Sequence, residues 1–170
     1  YGIIENHKGS IHVVSEIGKG ATFHIYLPAT MEKPVVEAEK TDGIKTGSGT
    51  ILLVDDESLI LEVASEILEV LEYEVVAVSS GEKAIEYLRE PEKSIDLVIL
   101  DMIMPGLGGK ETFLSLREID PDIKIILSSG YSVNSQATEI MDMGCNGFIQ
   151  KPFDLMKISN KIHEVLTEKS

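Results

Sequence analysis

Three carboxylates, a hydroxyl and an ammonium stand at the ends of short apolar runs in this chain. Asp55 and Asp56 follow residues 51–54, Asp101 follows residues 95–100, Ser129 follows residues 123–127, and Lys151 lies just past residues 147–149. Apolar runs with little polar alternation suit strands covered on both faces of a parallel sheet, and such sheets bind ligands at the carboxyl ends of their strands. Three carboxylates gathered on that edge repel one another, so either some protonate or a cation neutralises them. A hard divalent cation with oxygen ligands, Mg²⁺, is the economical neutraliser, and it leaves coordination sites for phosphate oxygens. An aspartate beside it becomes a potential nucleophile toward phosphorus. Lys151 would then steady a transferring phosphoryl group as a point charge, and Ser129 would donate a hydrogen bond to the product.

Each residue taken alone has a plainer reading. An Asp-Asp pair ahead of a helix serves as an N-cap with a dipole-stabilising charge. Asp101, followed by Pro105 and Gly106, suits a turn. What favours chemistry is that all of them fall on one edge of the expected sheet.

The elements that must position these groups alternate from residue 50 onward. Residues 51–54 read as a strand. Ile60, Val63, Ala64, Ile67, Leu68 and Leu71 then keep helical spacing. Strands are expected at 74–78, 95–100, 123–127 and 147–149. Between them lie a helix capped by Ser80 and stopped by Pro91, a helix carrying Phe113, Leu114, Leu116 and Ile119, and a weakly patterned helix near 135–143. Asp154 caps a last helix whose apolar face is Leu155, Ile158, Ile162 and Val165. Five strands and five helices in strict alternation imply an α/β doubly wound five-stranded parallel sheet.

Residues 1–28 read differently, as a helix end over 1–7 and two strands, 10–16 and 21–27, joined through Gly18 and Gly20. A two-stranded hairpin is marginal in water, so this piece must dock on something. Residues 29–49, charged and ending in Gly-Ser-Gly, have a linker's composition. The expected organisation is thus 1–28, a linker over 29–49, and a domain over 50–170.

With 29 acidic against 15 basic residues the net charge is −14, which repels phosphate backbones and anionic bilayers, so neither nucleic acid nor direct membrane contact is expected. The single Cys145 cannot form an internal disulfide, and His7, His12, His24 and His163 lack zinc-ligand spacing, which suits a reducing cytoplasm. The chain opens on Tyr-Gly-Ile-Ile-Glu rather than on Met or a signal peptide, as the interior of a longer protein would.

Four motifs in combination, Leu-Val-Asp-Asp-Glu, Leu-Asp-Met-Ile-Met-Pro-Gly, Ser-Ser-Gly-Tyr and Lys-Pro-Phe, make residues 50–168 resemble the response-regulator receiver domains of two-component signalling. The resemblance implies the flavodoxin-like receiver fold with strand order 2-1-3-4-5 and a phosphorelay function without turnover enzymology. It implies that Asp101 is the phosphoacceptor and that Asp55, Asp56, Asp101 and the Ile103 backbone carbonyl bind Mg²⁺. Lys151 is implied as the phosphate-contacting lysine, Ser129 as the switch hydroxyl at a position more often Thr, and Phe148 as the switch aromatic at a position often Tyr. Plain core packing is an equal reading of Phe148. The phosphodonor would be a histidine kinase or a histidine phosphotransfer protein.

Residues 1–28 resemble the carboxyl-terminal end of a histidine-kinase ATP-binding domain, through Tyr-Gly-Ile-Ile-Glu-Asn-His-Lys-Gly-Ser-Ile and Gly-Lys-Gly-Ala-Thr-Phe-His-Ile-Tyr-Leu-Pro. The histidine-bearing helix, the asparagine-bearing helix and the Asp-x-Gly-x-Gly loop are missing from this stretch, so kinase activity is not expected of it. The order implies a hybrid sensor kinase as parent, itself attached to a membrane or not.

Three rivals remain open. A nucleotide-binding enzyme is disfavoured because Gly108-Gly109-Lys110-Glu111 only faintly resembles a P-loop, with Met104 and Glu111 where Gly and Ser or Thr should stand. An Mg²⁺-dependent Asp-nucleophile phosphatase would resemble Asp-x-Asp after the first strand. A receiver that acts only as a docking module is the third.

Overall fold

Alternation of buried apolar strands with amphipathic helices produces the architecture seen in the computed structural model, which describes residues 4, 7–29, 43–91, 94–130 and 135–167, with residues 135–138 as backbone only. Two compact units divide the chain, residues 1–41 and 42–170.

In the first unit, β1 (Ser10–Glu16) pairs antiparallel with β2 (Gly20–Tyr26), with Val13 opposite Phe23 and Ile11 opposite Ile25. Gly18 and Gly20, at φ +81° and +92°, make the connection that a side chain would strain. Val13, Val14, Phe23 and Ile25 are all about half exposed or more, so this hairpin buries neither face among the described residues. The expected helix over 1–7 falls largely outside the described residues, with only Ile4 assigned as helical.

The second unit runs β3 (Thr50–Val54), α1 (Ser58–Val70), β4 (Glu74–Val78), α2 (Gly81–Leu88), β5 (Leu97–Asp101), α3 (Gly109–Ile119), β6 (Ile125–Ser129), α4 (Ser135–Asp142), β7 (Gly147–Gln150) and α5 (Leu155–Thr167). The sheet is parallel throughout with order β4-β3-β5-β6-β7, which is 2-1-3-4-5 counted within the unit. Alternate residues of each strand enter two cores. Leu52, Val98, Leu100 and Leu127 meet Ala84, Phe113 and Leu116, while Ile51, Leu53, Ile99 and Ile126 meet Ala64, Leu68, Ile158 and Ile162. Helices therefore cover both faces, which is why the strands read as continuous apolar runs. Ser80 accepts from Lys83 N at 3.4 Å and Asp154 accepts from Met156 and Lys157 N, so both expected caps form. Among the described residues no helix is long and apolar enough to cross a membrane.

Several boundaries differ from expectation. β5 starts two residues late, at Leu97; Asp96, just before it, meets the first residue of β3 through its N–H to Thr50 O at 3.0 Å and its side chain, which accepts from Thr50 N at 2.8 Å. β6 starts at Ile125 because the turn after Pro121, closed by Ile123 N to Asp120 O, keeps Ile123 buried but outside the ladder. At their other ends the strands run on, so that Asp101 closes β5 and Ser128 and Ser129 close β6 rather than follow them, with Asp101 paired to Ser128 and Ser129 to Gln150. Val63 and Leu114, expected on apolar helix faces, are 45% and 44% exposed.

Residues 43–49, expected within the linker, belong to the second unit. Lys45 N donates to Ser159 Oγ at 2.8 Å, Ser159 Oγ donates back to Lys45 O at 2.9 Å, and Gly47 N reaches Leu71 O at 3.0 Å. Ser159 is buried, so its loss would strand the Lys45 peptide. Ser159→Ala should lower unfolding free energy by about 1–2 kcal/mol and speed amide exchange at Lys45. Urea denaturation and hydrogen-exchange NMR measure these, and unchanged exchange would count against the anchor.

Candidate phosphoacceptor and metal site

β3, β5 and β7 release their chains at one edge of the sheet, and the charged residues at those exits converge. Asp55 continues the β3 ladder by one bond, its N–H reaching Val78 O at 3.2 Å, and is fully buried. Asp101 closes β5 and is 4% exposed. Lys151 follows β7, is fixed by its N–H to Ser129 O at 2.8 Å, and carries its side chain back over the edge. Its Nζ lies 2.5 Å from Asp55 Oδ2 and 3.1 Å from Asp101 Oδ1. Asp56, exposed, completes the group, with one oxygen from each of Asp55, Asp56 and Asp101 mutually within 4.8 Å.

Charge balance governs this cluster. Burial pushes the Asp101 carboxyl above its ordinary range, the Lys151 charge and hydrogen bond pull it back, and the Asp55 charge pushes it up again, leaving it raised. Burial alone would depress the Lys151 ammonium, but Asp55 and Asp101 outweigh that and hold it above its ordinary value. One ammonium thus serves two buried carboxylates, with a third carboxylate, Asp56, beside them at the rim.

The donor set fits Mg²⁺. Ligand oxygens around an octahedral Mg²⁺ stand about 3–4 Å apart, so the three carboxylates need only small rotations to share one ion. Asp55 Oδ2 accepts no well-aligned hydrogen bond despite being buried, its close partner being the Lys151 ammonium. The N-cap reading of the Asp pair fails in detail. The α1 N-cap is Glu57, whose side chain makes no cap bond, and Asp55 Oδ1 takes only Glu57 N at 3.1 Å.

The other expected site residues are placed by backbone position. Ser129 is the buried last residue of β6, one step past Ser128, which pairs with Asp101. Ile103 lies two residues beyond β5 in the loop to α3, its side chain 52% exposed. Phe148 sits opposite Leu127 in β7 and packs on the core that holds Phe113 and Leu116, the packing its plainer reading required.

The loop that carries Ile103 has supports the sequence did not suggest. Gly109 N reaches Met102 O at 3.3 Å, and a Cβ on Gly109 would fall 2.6 Å from Met102 Cα, so only glycine lets α3 start so close to β5. Thr112 and Glu82 also hold it, and both looked like ordinary helix residues.

Residues 51–163 match the family described as response regulator receiver domain. The chain belongs to that family. Its members are signalling modules of two-component phosphorelays, which work with histidine kinases or phosphotransfer proteins rather than as turnover enzymes. The chain is 36% identical over 175 residues to the sensor kinase CckA of Brucella abortus, an alignment covering 98% of this chain but 18% of that relative. It is 31% identical to the chemotaxis protein CheY of Halobacterium salinarum, over 69% of this chain and 96% of CheY. Among solved structures, the receiver domain of the hybrid histidine kinase CckA superposes with TM-score 0.59 at 30% identity, covering 70% of this chain and all of that one. The response regulator TrrA of Thermotoga maritima, solved in complex with Mg²⁺-BeF, gives 0.62 at 32% identity over 69% of this chain and 99% of TrrA.

Because burial raises the Asp101 carboxyl, the folded state holds its proton more tightly than the unfolded chain does. The stability this contributes is complete below the unfolded value, near 3.8, and is lost as pH rises through the elevated folded value. At neutral pH without a cation the ionised group is a burden. Asp101→Asn in chelator should therefore melt a few degrees above wild type at pH 7, with the gap closing toward pH 4. Mg²⁺ should raise the melting point of wild type far more than that of the variant. Thermal melts by circular dichroism test this, and an equal Mg²⁺ response in both would contradict it.

Proposed function

We propose that Asp101 accepts a phosphoryl group from a phosphohistidine and that the pocket depends on Mg²⁺ held by Asp55, Asp56, Asp101 and the Ile103 carbonyl. The observation that carries this reading is the Lys151 ammonium lying against both Asp55 and Asp101, with Asp56 within reach of the same ion. An Asp101 oxygen attacks phosphorus, the phosphorus–nitrogen bond breaks as the phosphorus–oxygen bond forms, and the imidazole leaves with the bonding pair. Bound Mg²⁺ would draw phosphoryl oxygens into place and offset their charge. Lys151, already poised over Asp101, turns to the phosphoryl oxygens, exchanging a carboxylate partner for a phosphate one. The Ser129 hydroxyl then donates to the product, and Phe148 follows it in re-packing the face formed by α4 and β7. A few kcal/mol of differential interaction suffices to bias such a two-state element.

We further propose that residues 1–28 are the carboxyl-terminal part of a histidine-kinase ATP-binding domain, that the linker expected over 29–49, less residues 43–49 which belong to the second unit, connects it to the receiver, and that the parent is a hybrid sensor kinase. Two observations support this: a hairpin whose faces the described residues leave unburied, and similarity to a sensor kinase that extends over nearly the whole chain. The proposed donor is a histidine kinase or histidine phosphotransfer protein.

Incubation with acetyl phosphate and Mg²⁺ should add the mass of one phosphoryl group, reversibly and once per chain. Asp101→Asn and chelator should each abolish the adduct, and Lys151→Ala should slow its formation by about 10²-fold or more. Equal labelling of Asp101→Asn sinks the assignment. Continuous phosphate release from small phosphomonoesters would instead favour the phosphatase.

A further inference from the structure

We propose that the first turn of α2, through Glu82, is a positioning element for the loop that presents the Ile103 carbonyl to the metal. This rests on the reading of Asp55, Asp56, Asp101 and Ile103 as an Mg²⁺ site. The loop from Met102 to Gly108 is pinned firmly at its ends. Met102 N donates to Ser128 O at 3.0 Å, the Met102 and Met104 side chains are buried, and Gly109 N returns to Met102 O. Its outer arc is less secure. Pro105 has no N–H to give, and Gly106 turns at φ +76°.

Leu107 is where that arc is gripped, and from two helices at once. Its N–H donates to Glu82 Oε1 at 3.1 Å, and its carbonyl accepts from Thr112 Oγ1 at 3.4 Å, the same hydroxyl that donates to Gly108 O at 2.8 Å. Thr112 is fully buried and belongs to α3, which follows the loop directly. Glu82 belongs to α2, an element 25 residues away, so it alone of the two ties the loop to a separate part of the fold. The approach is close because residue 81 is glycine. A Cβ there would lie 3.1 Å from Leu107 O and would collide with Thr112 Oγ1.

The Glu82 carboxyl is held below its ordinary range by its own backbone N–H, by Ser80 and by Leu107, so it stays an ionised acceptor at neutral pH. It has no place in the carboxylate trio. Its effect on the metal passes through three residues of backbone, from Leu107 back to Ile103. A loop free to wander samples geometries in which that carbonyl is out of reach, and the binding-competent fraction sets the apparent affinity.

Glu82 is exposed, so Glu82→Ala should fold normally, which a thermal melt in chelator checks. Two readouts then bear on the proposal. Hydrogen-exchange NMR in chelator should find the Leu107 amide exchanging about threefold to tenfold faster in Glu82→Ala, and calorimetry should find Mg²⁺ bound more weakly by a similar factor. Glu82→Gln, which keeps an oxygen acceptor, should restore most of both. Faster exchange with unchanged Mg²⁺ affinity would overturn the positioning role, as would no change in either readout. If wild type binds no Mg²⁺ at all, the failure is of the underlying site and not of the tether, whose exchange signature would still be present.

Discussion

A pair of buried carboxylates at the end of a sheet needs a counter-charge, and here a single ammonium serves both. Lys151 Nζ lies 2.5 Å from Asp55 and 3.1 Å from Asp101, with Asp56 close enough to share an ion with them. Three negative charges against one positive leave the edge of the sheet short of cation. In the proposed function that shortage is what the pocket uses: it would favour a divalent ion and, with the ion bound, tolerate the dianionic charge of a phosphoryl group. The placement of strands, loops and helix starts in this unit serves to hold that imbalance in fixed geometry.

The parallel sheet supplies the geometry at little local cost. β3, β5 and β6 are buried on both faces, so their carboxyl ends are as rigid as the core itself, and Asp55 and Asp101 inherit that rigidity from the ladder. Beyond the strand ends, rigidity depends on individual contacts. Lys151 is fixed through Ser129 O, and the loop after Asp101 through Gly109, Thr112 and Glu82. Residues 43–49 do a similar task on Ser159, fixing where the chain enters the unit.

The fold was legible because the chain states it twice, in apolar runs that end in charge and in helix faces that repeat at 3.6 residues. Ser80 and Asp154 announced their helices by type and position, and both cap them. That the candidate site residues would converge was legible because the charged ones each sit at a strand exit, a property visible once the strands are counted. Boundaries were not: Asp96 still bonds to Thr50 by backbone and side chain although β5 begins one residue later, and Ile123 is held in the turn at Asp120, neither of which the residue types announce. Order in residues 43–49 was hidden for a related reason: its partner, Ser159, is 114 positions away in the sequence. Glu82 and Thr112 carried no signal at all, because an exposed glutamate and a threonine in first helical turns are common and only the folded loop reveals what they hold.

Trapping the acyl phosphate addresses the account's centre most directly. Borohydride reduction of the protein after exposure to a phosphohistidine donor converts an aspartyl phosphate to homoserine, and peptide mass spectrometry locates the change. Conversion at position 101 alone, and only when Mg²⁺ is present, is the predicted result. Conversion at Asp55 or Asp56, or conversion at Asp101 undiminished by chelator, would contradict it.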